Sequence, residues 1–341
     1  MNIPKILRTK IAKEIDIEPG KISISPRRAL DFQSNRLYDM WADEKHFIVK
    51  EYLQPNELEA APLREFKALR LLSALDIAPQ PVYYDPSTGP FVIYEYMQGE
   101  MWDRRSPSAA DLDKLMGVWL KFHAQPADWL SRNYERPLKT VESEFLGQVK
   151  VYTEWVGSEF KPGLQAAEMW RQLLESRHGV IEELSGHAPV DCFCRADPRF
   201  ANVIQRPDGR LGLVDWEDSG LRDPARDLAD VITHPNQEDL LDWNEWQAFL
   251  EPYLAARSKL DKDITRRMHL YLALFPLFWL TVISRHGIRL ATAGQLKNWT
   301  VNGLSGNERL RRYLARAAAW PKMDYEEILA RLKDIEFFPE K

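Results

Sequence analysis

Two polar clusters bracket a hairpin signal past the middle of the chain. Asp197-Pro198-Arg199-Phe200-Ala201-Asn202 comes first. Val203 to Arg206 and Leu211 to Val214 then flank the turn residues Pro207-Asp208-Gly209-Arg210, and Asp215-Trp216-Glu217 follows at once. Apolar runs on either side of an Asp-Gly turn predict two antiparallel strands. A tight hairpin brings its two ends together, so Asp197, Asn202 and Asp215 are expected at one mouth. They would supply two carboxylates and a carboxamide oxygen, hard ligands suited to Mg2+.

Asp-x4-Asn, a hairpin and then Asp is the spacing of kinase catalytic and metal-binding segments. That chemistry also needs a cation on the nucleotide phosphates. Phe47-Ile48-Val49-Lys50 places a lysine at the end of an apolar strand, and Glu65 stands on the helix that follows, where its carboxylate partner belongs. Taken singly, Lys50 is an ordinary strand-end lysine and Glu65 a solvated helix residue. Their order relative to Asp197, Asn202 and Asp215 favours the functional reading.

The elements that must position these residues fall into two textures. From Ile22 to Glu100 short apolar runs, Phe47 to Val49 and Phe91 to Tyr94, are set among turn formers. Between them Leu63, Phe66, Leu69, Leu72 and Leu75 predict one helix, ended by Pro79 and Pro81. After Gly99 the pattern is helical: Leu112, Leu115, Met116, Trp119, Leu120 and His123 follow i, i+3, i+4 spacing up to Pro126. Glu168 to Leu184 and Asn307 to Trp320 read as amphipathic helices, and Asp324 with Glu327 as a capping box ahead of Ile328, Leu329 and Leu332. Pro189 to Trp216 is the exception, because it carries the hairpin.

At these residues the chain resembles the aminoglycoside phosphotransferase and choline kinase-like superfamily. The resemblance rests on Ser34-Asn35 before the lysine strand, Lys50, Glu65, Glu95 in Ile-Tyr-Glu-Tyr, Trp119 to Pro126, Asp197 to Asn202, and the stretch from Val214 through Asp230. It implies an α+β, protein-kinase-like bilobal fold. A small antiparallel-sheet N-lobe with one main helix would span 1–97, and a larger, mostly helical C-lobe 98–341. By resemblance, Asp197 is the catalytic base, Asn202 and Asp215 are the magnesium ligands, and Lys50 is the phosphate contact held by Glu65. Asp227 looks like the family's structural aspartate. With Ile93 as gatekeeper, the Tyr94 C=O and Tyr96 N–H would meet the purine edge of ATP, with GTP left open. A one-residue shift would exchange the tyrosines' roles, and both equally suit packed strand aromatics.

Two departures stand out. The family's His-Gly-Asp is Arg195-Ala196-Asp197 here, and alanine disfavours a backbone of positive φ. The phosphate-covering turn, Leu30 to Arg36, has no glycine. Neither removes a proton acceptor or metal ligand. The reading is a small-molecule kinase, and its rival is a catalytically degenerate, kinase-like binding or regulatory module.

Ile264 to Lys322 holds ten Lys/Arg against Glu308 alone. If that segment faces the acceptor, a neutral or anionic hydroxylated metabolite fits better than a polycationic aminoglycoside. Solvated helix faces explain the same charges equally well. His123 reads as a core histidine, Cys192 and Cys194 as packed side chains, Glu217 as a hairpin brace or an aid to a second metal, and Trp279 and Trp299 as core residues or stacking surfaces.

Composition sets the outer bounds. With 341 residues and a net charge of −5, the chain is mildly acidic, which disfavours a dedicated nucleic-acid binder. Two cysteines make no disulfide framework and suggest a reducing compartment. The apolar run Leu270 to Ile283 is shorter than the ~20 residues of a membrane span. The expectation is a cytoplasmic enzyme with a small-molecule hydroxyl acceptor and neither nucleic acid nor membrane as partner, its oligomeric state open.

Overall fold

The period-two alternation of the lysine strand decides which of its side chains enter the site. A computed structural model describes residues 5–27, 35–54, 60–102, 107–125, 138–157, 160–187, 192–319 and 325–339. Ser34, the rest of the glycine-free turn before it, Pro126, Trp320 and Asp324 lie outside these described residues. The chain divides into two compact units: Met1–Tyr134 with Cys192–Arg222, and Glu135–Asp191 with Asp223–Lys341.

The first unit opens with α1 (Lys5–Glu14), β1 (Ile22–Pro26), β2 (Asn35–Ala42), β3 (Lys45–Tyr52), α2 (Ala60–Ser73), β4 (Pro81–Tyr84) and β5 (Phe91–Glu95). Its antiparallel sheet has the order β1-β2-β3-β5-β4. Phe47 and Val49 of β3 pack with Ile11 and Ala12 of α1 and with Met40 and Ile93. Successive strand side chains point to opposite faces, so Ile48, Lys50 and Tyr52 point the other way.

Helix α2 differs from its expected face. Ala61, Glu65, Ala68, Leu69 and Leu72 are buried, whereas Leu63 is exposed. A strict three-residue step drifts about 60° backwards at each repeat of a 3.6-residue helix, and the face that goes inside carries Glu65 instead.

The same unit continues with β6 (Glu100–Met101), α3 (Ala109–His123), β7 (Cys192–Cys194), β8 (Val203–Gln205), β9 (Leu211–Leu213) and β10 (Gly220–Arg222). Ser108 and Asp111 form a capping box on α3, which buries Leu112, Leu115, Met116, Trp119 and His123. β8 and β9 are the expected hairpin, with Val203 opposite Leu213 and Gly209 supplying the left-handed turn residue at φ +79. β10 pairs antiparallel with β7.

The second unit contains α4 (Leu138–Val156), α5 (Lys161–Glu175), α6 (His178–Gly186), α7 (Pro224–Thr233), α8 (Trp243–Arg257), α9 (Ile264–Thr292), the short pair β11 (Thr300–Val301) and β12 (Leu304–Ser305), α10 (Gly306–Ala319) and α11 (Tyr325–Arg331). The expected helix over Glu168 to Leu184 is two helices, parted where the Ser176 hydroxyl donates back to the Leu173 carbonyl at 2.7 Å. α9 is long and apolar enough to cross a membrane by length and composition, yet most of its apolar stretch is buried in this unit. Leu277, Leu280 and Ile283 pack there with Phe145, Trp170, Tyr313 and Phe338.

Candidate active site

The lysine of β3 is the centre of a buried charge cluster in the first unit. Lys50 Nζ lies 2.7 Å from Glu65 Oε2, makes a short contact with Asp215 Oδ1 and is 3.2 Å from Glu217 Oε2. Glu65 is fully buried, and its second oxygen accepts the Trp216 N–H at 3.4 Å. Tyr52, two residues along the same strand face, donates its hydroxyl to Glu65. Burial works against the ammonium, but Asp215 and Glu65 overcome it and hold Lys50 charged well above the ordinary lysine range.

The hairpin joins its ends as expected. The Val214 N–H donates to the Asn202 carbonyl at 3.1 Å, and Asn202 Nδ2 lies 3.3 Å from Asp215 Oδ2. Burial alone would favour the neutral acid at Asp215. Lys50 and Arg199 win, and the carboxylate is held below its usual range. Asp197 reaches the same place through Arg199, whose Nε is 2.8 Å from Asp197 Oδ2 and whose Nη2 is 2.9 Å from Asp215 Oδ2.

Arg195 braces this arrangement. Its Nε donates to the Asp197 carbonyl at 3.0 Å, its Nη2 donates to the Val214 carbonyl, and its guanidinium lies 4.9 Å from the Trp216 ring centre. One buried side chain thus ties the segment before the hairpin to the segment after it. Ala196 takes φ +67 and Asp215 φ +68, so the left-handed backbone is kept without glycine.

Glu217 connects the sheet to the same cluster. Asn35 Nδ2 donates to its Oε2 at 2.6 Å, and Arg64 Nε donates to its carbonyl at 2.5 Å. Burial, reinforced by Asp215 and Asp218, pushes its carboxyl up to about 7, and burial likewise pushes Asp218 up to about 6.

Residues 27–271, well over half of the chain, match the APH family, the phosphotransferase enzyme family. The chain belongs to that family. No curated protein matches it. Among solved structures, choline kinase LicA from Streptococcus pneumoniae is 20% identical with a TM-score of 0.62, over 93% of this chain and 99% of that one. Choline kinase from Cryptosporidium parvum Iowa II is 14% identical with a TM-score of 0.66, over 96% and 99%. Spectinomycin phosphotransferase APH(9)-Ia, in complex with ADP and spectinomycin, is 15% identical with a TM-score of 0.55, over 99% and 95%. Identities this low speak for the fold, which is the α+β, protein-kinase-like one.

In this phosphotransferase the hinge expectation needs correction. The Tyr96 N–H donates to the His46 carbonyl at 2.9 Å and its ring stacks on His46 at 4.1 Å, so that donor is already engaged. Hydrogen-bonded pairs alternate along an antiparallel ladder, and two residues back Tyr94 faces Ile48 in the same way. The peptide groups of both tyrosines therefore serve β3. The Tyr94 ring is buried, and the charges of Glu65 and Lys50 act on it, with burial holding its hydroxyl protonated.

The basic segment of the phosphotransferase also reads differently in three dimensions. Arg309 is buried against Glu238 at 2.6 Å, Arg316 meets the same carboxylate at 2.5 Å, and Arg311 and Arg312 hold Glu308 at 3.1 Å. Arg267 joins Asp223 and Asp261 at 2.8 and 2.7 Å. These five arginines are held in ion pairs, so they do not themselves speak for a neutral or anionic acceptor. Trp299 is packed against Phe338, while Trp279 stays half-buried with its ring edge-on to His234. Cys192 and Cys194 bond to the carbonyls of His123 and Arg222, in keeping with packed side chains.

Arg199, Tyr52 and Arg64 were not singled out from sequence. Only Arg199 left a signal, a cation two residues after the candidate base.

Proposed function

We propose that the chain transfers the γ-phosphate of ATP, with GTP as the other candidate nucleotide, to a hydroxyl of a small molecule. The observation that carries the reading is the convergence of Lys50, Glu65, Asp197, Asn202 and Asp215 within one unit. Residues 1–97 would form the nucleotide lobe and residues 98–341 the catalytic and acceptor lobe, in a cytoplasmic enzyme.

Phosphoryl transfer is mainly positioning and charge neutralisation. Lys50, fixed by Glu65, would anchor the nucleotide phosphates, with Ser34 and Asn35 beside them. Asp197 would orient the acceptor hydroxyl and take its proton. The carboxyl oxygens of Glu65, Asp215 and Glu217 surround the Lys50 ammonium, and the pair whose chemistry fits magnesium is Asp215 with Asn202, a carboxylate beside a carboxamide, both oxygen donors. Asp215 and Asn202 would hold the ion, which when bound supplies charge neutralisation at the phosphates. For the purine edge we place the Glu95 C=O and the Met97 N–H, one residue on from Tyr94 and Tyr96, because the tyrosine peptides belong to the sheet.

The rival binding module drew on Ala196 and on the glycine-free turn; Ala196 keeps a positive φ, which supports the kinase reading. Calorimetric titration of ATP and GTP, each with and without Mg2+, into wild type and Asp215→Ala tests the proposal. Metal-dependent binding that Asp215→Ala loses supports it. Binding untouched by Asp215→Ala removes the metal assignment, and no binding of either nucleotide turns the reading to the binding module.

A further inference from the structure

We propose that His123, Cys192 and Cys194 form a buried zinc site in the first unit, one that fastens the end of α3 to the strand leading into the candidate base. The site shares no residue with the candidate active site, so it stands or falls independently of the phosphotransferase reading.

A strand and a helix end bring the donors together. Residues two apart on a strand share a face, so Cys192 and Cys194 of β7 point the same way while Phe193 points the other. His123 is the last residue of α3, and a nitrogen of its imidazole and the two sulfurs all lie within 4.8 Å of one another. The three residues are 3%, 4% and 0% exposed. Each sulfur also lies beside a carbonyl oxygen, Cys192 at 2.8 Å from that of His123 and Cys194 at 3.4 Å from that of Arg222.

The donor set selects the ion. Two sulfurs and an imidazole favour zinc or copper(I) over magnesium or calcium. Burial then decides between those two. Binding exchanges the two thiol protons for the ion, so a divalent ion leaves two thiolates and a neutral imidazole with no net charge. A monovalent ion would leave a net negative charge in an apolar interior, which is costly. That interior is aromatic around the imidazole, with ring centres of Phe122 at 4.5 Å and Trp119 at 5.5 Å. The His123 carbonyl is an oxygen already at hand for the fourth position of a tetrahedral zinc. β7 runs straight on into Arg195, Ala196 and Asp197, so an ion held here ties the helix end to the backbone that sets the candidate base.

The test uses the full chain produced in medium supplemented with Zn2+, or with Co2+ as its coloured stand-in, and desalted under reducing conditions in excess Mg2+, so that hard-oxygen sites hold magnesium. Wild type should keep about one zinc per chain by elemental analysis. The cobalt form should show a sulfur-to-cobalt charge-transfer band in the near ultraviolet. Cys194→Ser and His123→Gln should each weaken zinc binding at least about 100-fold in competition with a chromophoric chelator, since losing a group merely behind a ligand already costs about 10- to 100-fold. A wild type that keeps no zinc, a cobalt protein without the band, or zinc held equally well by both variants would overturn the proposal and leave the three as packed side chains. If a variant fails to fold, the zinc content and the cobalt band of wild type decide alone.

Discussion

Ala196 sits at φ +67 directly before the candidate base, a backbone region that costs a non-glycine residue about 1 kcal/mol. Ala196→Gly should therefore raise the thermal midpoint by a few degrees, provided Arg195 keeps its two carbonyls. An unchanged or lower midpoint would show that the strain is relieved elsewhere. Met97→Pro removes the N–H assigned to the purine, so the ATP Kd should rise about tenfold with little change in melting temperature. Tyr96→Pro, by contrast, breaks a sheet bond and should lower stability. At this scale the convergence of Asp197, Asn202, Asp215, Lys50 and Glu65 was legible in the sequence, because it follows from side-chain type and spacing. The tyrosine peptides were misread because spacing does not say which way a strand's N–H points. Arg199 was passed over because a loop cation shows its meaning only when two carboxylates close on it.

Among the elements, the strand-helix-strand order of the sheet region and the hairpin could be read from patterns of period two and turn residues. The inward face of α2 could not, since tertiary contacts select Ala61 and Glu65 over the exposed Leu63. The basic run over α9 and α10 reads as a surface in one dimension, whereas several of its partners lie far along the chain, at Glu183, Asp223 and Glu238. Arg309→Met should accordingly cost about 3 kcal/mol or more by leaving Glu238 buried without its main partner. Chemical denaturation checks this, and a change in acceptor KM at unaltered stability would reinstate the acceptor role.

Arg267 at the start of α9 ties Asp223, the N-cap of α7, to Asp261. The Arg267 hydrogen bond holds Asp261 below the usual carboxylate range. A depressed folded-state pKa gives stability that is present above the ordinary value near 3.8 and fades as pH falls below it. The loss caused by Arg267→Met should thus be large at pH 7 and shrink below about pH 4. A loss independent of pH would assign the effect of Arg267 to packing alone.

For the whole molecule, the residues proposed to do the chemistry come from both segments of the first unit, and the sheet and the hairpin are needed to bring them together. Ligand that binds only the folded state stabilises it by mass action. Mg·ATP at 100 times its Kd should add about 2.7 kcal/mol, and Asp215→Ala should lose that gain. Composition excluded a disulfide-built scaffold, and family resemblance supplied the fold. The acceptor was not legible, because six of the ten charges that pointed to its class are tied in ion pairs inside the second unit.

The most direct measurement is transfer of label from [γ-32P]ATP with Mg2+ to a pool of small alcohols, amino alcohols and sugars, by wild type and Asp197→Asn. The account predicts labelled small-molecule product from wild type, a rate lower by at least about 10²-fold in Asp197→Asn, and nucleotide binding nearly equal in the two. Labelled product formed equally fast by Asp197→Asn, or Mg·ATP bound tightly by wild type with no label leaving the nucleotide, would contradict it.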